Sequence, residues 1–589
     1  MKKAFALVLA VLFLLGLLAA CGTGPNDPTP TPAGPTGQVA TGTPGTPDTP
    51  DTPDTPDDVG LPFRVDELGI AMEPYDYELP LTTEDDDTVL SYWWCTYTPQ
   101  YIPEGQEYGD TPLPQEVLKR TGVHVEYINV PSTSRQDTFG VLVASDDLCD
   151  IMSCANYYPG GTLKMVEDGY FVNIYDHKEW MPNYLYRGKW EHPEDTATYE
   201  SVYYTPTMVP LAHVMWDDHV VTDSGFCVRQ DMLDKVGLKA SDLHTWDDFT
   251  EAMRAVKAEI DTVEFPLWLA EMIEINNYWQ FNSFENVCLL FTSLPPIYFR
   301  EGKLEIGNTS EGDKLFAQQL NSYYKEKLLN QDWQSYFYAQ VFMAHTLNNE
   351  VFWQSLGANA IGDAISKCTD PNCNWVPVDK PLVTPDQVVH AGTIRSRTTT
   401  GNCGFATKNK NLELAMKWID YRYSPAGWEL FAYGPEGVLV EKDANGNRRN
   451  TDWALSNPDG LDLTALVAIY TSSRMVEPGI CVPDAMLLNP AGEVALNACN
   501  YWTSFDEKHY DKAGALPLGV RLDSDQAEEV AKYRTDLATY IAENYGNFIV
   551  GNTSFDAWQT YQDTLDTLGR QEILAVYQEA YDDYLAKKG

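Results

Sequence analysis

The chain has 589 residues, 44% hydrophobic and 12% aromatic, and its 86 Asp and Glu against 40 Lys and Arg give a formal charge of −46. That balance excludes the basic face that a nucleic-acid backbone requires and disfavours anionic membrane surfaces as partners. The apolar share is far above that of disordered chains, so a large packed core is expected, in roughly two to four structural units.

Residues 1–20 read as a signal peptide: Lys2 and Lys3 precede an unbroken apolar run from Ala4 to Leu18, too short for a membrane span. Leu18-Ala19-Ala20-Cys21 looks like a bacterial lipobox, in which the Cys21 thiol takes a diacylglycerol and becomes the mature N-terminus. Residues 21–58 hold the repeats Thr46-Pro47-Asp48 to Thr55-Pro56-Asp57. Proline fixes φ and the Asp residues repel one another, so this is an extended spacer reaching on the order of 100 Å. The spacer is expected to carry a globular body, residues 59–589, through a Gram-positive wall, with the chain lipid-anchored on the outer face of the cytoplasmic membrane.

Ten cysteines remain once Cys21 is set aside. Cys149 with Cys154, and Cys368 with Cys373, could each close a small loop, and outside the cytoplasm disulfides are permitted. The spacing is not that of a common zinc site and no His cluster accompanies it, so no metal is expected.

From Thr88 onward strand and helix patterns alternate. Val89 to Trp94 is a strand candidate, and Pro114 to Arg120 a short helix that Gly122 can close in the left-handed conformation. Val123, Val125 and Tyr127 alternate as a half-buried strand, and an apolar helix then leads to the strand Ile151 to Cys154. Strand, helix, strand is the order a parallel sheet with helical crossovers requires. Thr245 precedes a helix from Trp246 to Ala258, and Leu412, Ala415, Met416 and Ile419 repeat the helical period. Asp443-Ala444-Asn445-Gly446-Asn447 supplies oxygens at alternate positions like half a calcium loop, but it lacks the closing Glu and Asn445-Gly446 favours a plain hairpin. Trp558, Tyr561, Leu565 and Leu568, then Ile573, Tyr577, Ala580 and Tyr584, form two stripes of a terminal helical hairpin.

Several segments resemble the extracellular solute-binding proteins of family 1, in the large lipoprotein branch that serves ABC importers. These are Lys119 to Glu126 followed by Val143 to Ile151, then Gly169 to Ile174, Met181-Pro182-Asn183-Tyr184 and Val228 to Leu238. Ala415 to Tyr421, Tyr433 to Gly437, Phe548 to Gly551, Trp558 and Tyr577 to Asp582 complete the series in the same order. The resemblance implies an α/β architecture of two lobes of the type II periplasmic-binding-protein kind, with a hinge and an interlobe cleft. Lobe one is expected at about 88–209 plus 393–440, and lobe two at about 210–392 plus 441–589. The chain should first cross at Tyr203-Tyr204-Thr205-Pro206 and return near Thr398 and after Gly437. The implied role is capture of a solute, foremost a neutral oligosaccharide, and delivery to ABC permease subunits by a monomeric, cofactor-free protein. A peptide or other small solute is the first alternative, a surface polysaccharide-active enzyme another, and an adhesin or sensor module a third. No Gly-x-Ser-x-Gly, His-Glu-x-x-His or phosphate-binding glycine loop supports catalysis.

Ligands of open α/β sheets lie beyond the carboxyl ends of the strands, and sugar rings pair flat aromatic faces with polar edges. Trp93, Trp94 and Tyr97 at the first strand's end, and Asn156, Tyr157 and Tyr158 after the strand ending at Cys154, are therefore candidate ligand contacts. Trp216, Arg229, Trp353, Trp375 and Trp502 are further candidates, although Arg229 could instead pair locally with Asp231 or Asp234.

Overall fold

The computed structural model describes residues 60–588, apart from 84–86, 95–100, 131–133, 160, 271–280, 289–293, 336–342, 473–476 and 489–491. The signal peptide, Cys21, the spacer and Tyr97 lie outside the described residues.

Thirteen strands follow in chain order among the described residues. They are β1 (Val89–Trp94), β2 (His124–Asn129), β3 (Ile151–Ser153), β4 (Ala212–Trp216), β5 (Ser224–Arg229), β6 (Ile297–Arg300) and β7 (Lys303–Ile306). Then come β8 (Trp353–Gly357), β9 (Trp375–Pro377), β10 (Thr398–Phe405), β11 (Val440–Lys442), β12 (Arg448–Asn450) and β13 (Gly479–Cys481). Six of them form the sheet of the first lobe in the order β13-β4-β10-β3-β1-β2. β1 is parallel to β2 and β3, β13 is parallel to β4, and β10 runs antiparallel to both β3 and β4. Five strands therefore point one way, and their carboxyl ends share an edge with the start of β10.

Expected elements appear for the expected reasons. Helix Pro112–Thr121 ends at Gly122, whose φ of 72° is the left-handed cap. Helix Trp246–Glu259 starts at Thr245, whose hydroxyl accepts the Asp248 N–H while the Asp248 carboxylate accepts the Thr245 N–H. The Asp443 hairpin joins β11 to β12, and the Asn445 and Asn447 N–H groups donate to Asp443 Oδ1 at 2.7 and 2.9 Å.

The second lobe centres on β5, flanked antiparallel by β8 and β9. Its main core joins Phe249 and Trp353 to Leu537, Ile541, Tyr561 and Ile573. The terminal hairpin, Trp558–Thr567 and Arg570–Lys588, therefore docks on this lobe through the 27-residue helix Ser524–Val550.

The lobe limits expected at 209/210 and 440/441 cut through the first sheet and are corrected here. Residues after 204 lead into β4 and residues after 441 reach β13, and both strands pair into that sheet. β4 buries Ala212, Val214, Met215 and Trp216 without alternation, as a strand enclosed on both faces does. The chain first leaves the lobe after Trp216, returns at 392–397 into β10, and leaves again after β13 for helix Gly492–His509.

Candidate functional site

At the shared carboxyl edge of the first sheet β4 and β13 end and β10 begins, so the chain crossings to the second lobe start and finish there. β3 ends there because Cys154 takes a left-handed φ of 55° and starts the turn Ala155–Tyr157. That turn exposes Asn156 and leaves Tyr157 half-buried. Asn402 of β10 donates its amide to Asn156 Oδ1 at 2.9 Å, and the Arg135 guanidinium lies 5.4 Å over the Tyr157 ring. Two amides, a ring and a guanidinium thus gather at one edge, a set suited to hydroxyls and sugar C–H faces.

The other expected contacts are built into the cores, and this is a correction. Trp353 and Arg229 are 0% exposed, and the most open of this group, Tyr158, only 6%. Trp93 packs edge-on against Phe139, Trp94 stacks 3.9 Å from Tyr108, and Trp353 stacks on Phe249. Trp502 donates its indole N–H to Phe226 O and fills the place where any Cβ on Gly225 would fall. Trp216 and Trp375 join Trp502 in one apolar cluster. Arg229 pairs with Asp231 through Nε and Nη2 at 2.8 and 2.7 Å, which is the local reading. Tyr158 is buried and donates to Asp168 at 2.8 Å.

The crossings carry residues that the sequence reading missed. Arg397, at the return, is almost fully enclosed. Its Nε donates to Asp195 at 3.0 Å, Nη1 to Glu191, Trp216 O and Asp217 O, and Nη2 to Arg187 O at 2.8 Å. Arg187 donates to Glu191 at 2.7 Å and to Asp217 at 3.1 Å. The helix holding Arg187, Pro182–Lys189, is fixed at its start by the buried Asp420. Asp420 accepts the Tyr184 N–H at 2.7 Å, the Asn183 amide at 2.8 Å and the Tyr77 hydroxyl at 2.7 Å. Burial raises the Asp420 carboxyl to about 6, opposed by those bonds and by the orphan N–H groups of the helix start. The segments Met181 to Tyr184 and Ala415 to Tyr421 are therefore two halves of one contact, and that contact positions a crossing.

On the second lobe, Lys380 donates to Asp506 at 2.5 Å, and Asp506 also accepts the Thr222 hydroxyl at 2.8 Å. Arg395 reaches Val221 O at 2.9 Å. Burial lowers Lys380 from its ordinary value, and Asp506 opposes the shift. Between the two clamps, 218–220 and 392–394 line a cavity of about 450 Å³ that His192 and Asp195 bound on one lobe and Lys380 and Tyr510 on the other. Gly392, with φ of 149°, adopts a backbone that favours glycine. The signal for these clamps was the pair Arg395 and Arg397 beside a predicted crossing in a strongly acidic chain.

No protein-family model matches the chain. A curated relative, the fructooligosaccharide ABC transporter substrate-binding protein FusA of Streptococcus pneumoniae, is 23% identical over 511 residues, 80% of this chain and 87% of the relative. An "HMO binding" ABC-transporter-associated solute-binding protein of Bifidobacterium longum infantis superposes with a TM-score of 0.66 at 16% identity, covering 85% of this chain and 99% of that one. FusA in complex with kestose gives 0.63 at 16% identity, covering 85% of this chain and 100% of that one. At these identities the superpositions establish the two-lobed fold.

Proposed function

We propose that this chain, whose fold is that of the ABC-transporter solute-binding proteins, captures an extracellular oligosaccharide between its lobes and hands it to an importer without chemical change. The observation that carries this reading is the junction itself: the carboxyl edge of the first sheet, where Asn156 and Tyr157 stand open, is the edge at which the clamped crossings leave for the second lobe. Hinge closure buries a polar solute against both lobes, which gives affinity and a shape for a permease to recognise. A carbohydrate ligand is supported by the binding partners named for the relatives, fructooligosaccharide and kestose among them. A neutral one suits the acidic excess.

The finer reading places the body as a monomer at the outer face of the membrane, held by a diacylglycerol on Cys21 and docking on permease subunits. No helix among the described residues is long and apolar enough to cross a membrane. Cys21→Ala is expected to move the full chain from the membrane fraction to the medium.

Thermal-shift screening tests the ligand class, since a solute that binds only the folded state raises the melting temperature. Neutral oligosaccharides are expected to raise it and peptides to leave it unchanged. The reverse pattern would make the chain a peptide receptor, and new reducing ends in the glycan arm would make it an enzyme.

A further inference from the structure

The loop Cys368-Thr369-Asp370-Pro371-Asn372-Cys373 joins helix Ala358–Ser366 to β9. It is a fixed turn: the Cys373 N–H donates to Asp370 O at 3.1 Å and the Asn372 N–H to Asp370 Oδ1 at 2.9 Å. Thr369 is tied to Leu347 O through both its N–H, at 2.8 Å, and its hydroxyl, at 3.0 Å. The fold brings both cysteines into one apolar cluster, with Arg229 Nη1 3.8 Å from Cys368 Sγ and the Cys373 thiol donating to Ala364 O at 3.6 Å with Cys368 as its neighbour. Cys368 is half-buried, whereas Cys373 is only 7% exposed, so a reagent in solution meets Cys368 first.

The equal spacing of Cys149 and Cys154 does not produce this arrangement. Cys149 packs against the Phe139 cluster of the first lobe, and Cys154 lies past the end of β3, its N–H donating to Asn402 O at 2.8 Å. Adjacency, not spacing, singles out the 368 and 373 pair.

We propose that Cys368 and Cys373 form an oxidative cross-linking site, converted to an intramolecular disulfide by an extracytoplasmic disulfide-bearing oxidant. The Cys368 thiolate attacks one sulfur of the oxidant, X–S–S–X, forming a mixed disulfide and releasing X–S⁻, which takes up the proton that Cys368 lost. Cys373 then attacks the Cys368 sulfur, the bond to X breaks, and a second X–S⁻ leaves and takes the Cys373 proton. Two thiols are oxidised to one S–S bond, and one oxidant disulfide is reduced to two thiols. The Arg229 guanidinium, fixed by Asp231, stands beside Cys368; burial pushes the Cys373 thiol up and Arg229 opposes that shift, which eases loss of its proton in the second step. The bond pins the end of a helix to the start of β9 beneath Arg229 and constrains the unfolded chain.

The test uses the reduced full chain, oxidised glutathione as oxidant, alkylation under unfolding conditions, and peptide mass spectrometry. The peptide holding both cysteines should lose two hydrogens and escape alkylation, and the melting temperature should rise and fall back on reduction. Cys373→Ser should accumulate glutathione on Cys368, and Cys368→Ser should leave Cys373 as a thiol. The wild-type chain decides the matter whatever the variants' stability: alkylation of both cysteines, glutathione persisting on Cys368, or a bridge from either to another cysteine overturns the proposal. None of these outcomes depends on which solute the cleft binds.

Discussion

Arg397 shows how single side chains set the hinge. Its guanidinium meets two carboxylates and three carbonyls, a geometry that a compact ammonium cannot reproduce. Arg397→Lys is expected to cost nearly as much as Arg397→Met, about 3–5 kcal/mol in chemical denaturation, because Glu191 and Asp195 lose their enclosed partner. Asp313 belongs to the same scale: burial pushes its carboxyl from 3.8 up to about 7, against bonds from Ser310 and Val287. The folded chain then holds that proton when the unfolded chain has released it. Stability is fully present below about pH 4 and declines as pH rises towards about 7. Asp420, at about 6, and Glu477, raised by burial to about 7, act with the same sign. His213, which burial lowers to about 4, acts with the opposite sign over the same window, so the effect is read as a difference: the melting temperature of Asp313→Asn relative to the wild-type chain should rise with pH between about 4 and 7.

Among the elements, those with a local code were legible: Gly122 closes one helix, Thr245 opens another, and Asn445-Gly446 turns a hairpin. β4 and β13 were misplaced because lobe membership depends on which distant strand they pair with, and their apolar runs suit either lobe. The helix Ser524–Val550 was not read, since its buried residues, Val530, Leu537, Ile541, Tyr545 and Phe548, are diluted among charges. Tryptophans misled for a related reason: a large ring at a strand end satisfies a core as well as a ligand, and only packing tells them apart. The open position of Asn156 and Tyr157 was legible because the apolar run of β3 stops at Cys154 and a short polar turn follows. Trp353→Ala is accordingly expected to lose about 3–5 kcal/mol of stability, as large core rings do. Tyr157→Ala should leave the melting temperature nearly unchanged while weakening oligosaccharide binding about tenfold, or about 1.4 kcal/mol, in calorimetric titration.

At the scale of the whole molecule, the charge of −46 is met by cations at the crossings, where Arg187, Arg397 and Lys380 pair with Glu191, Asp195, Asp217 and Asp506. A further bridge spans the lobes away from the crossings. Arg521, from the segment before helix Ser524–Val550, donates to Glu200 O at 2.7 Å and lies 3.4 Å over the Tyr204 ring. Glu200 in turn accepts the Gly519 N–H at 2.9 Å and the Tyr584 hydroxyl at 2.6 Å. Burial lowers Arg521 from its ordinary value, and Tyr204 and the Glu200 carboxylate oppose that shift, so the charge is held in place by this bridge. Arg521→Ala should therefore let the lobes separate, seen as a larger radius of gyration without ligand. The central claim, that solute is held by closure of two lobes, is tested most directly by small-angle scattering of the full body with and without a saturating neutral oligosaccharide identified by calorimetry. One ligand per chain with a smaller radius of gyration is the predicted result. Saturable binding with unchanged scattering would contradict it, as would the absence of any saccharide that binds.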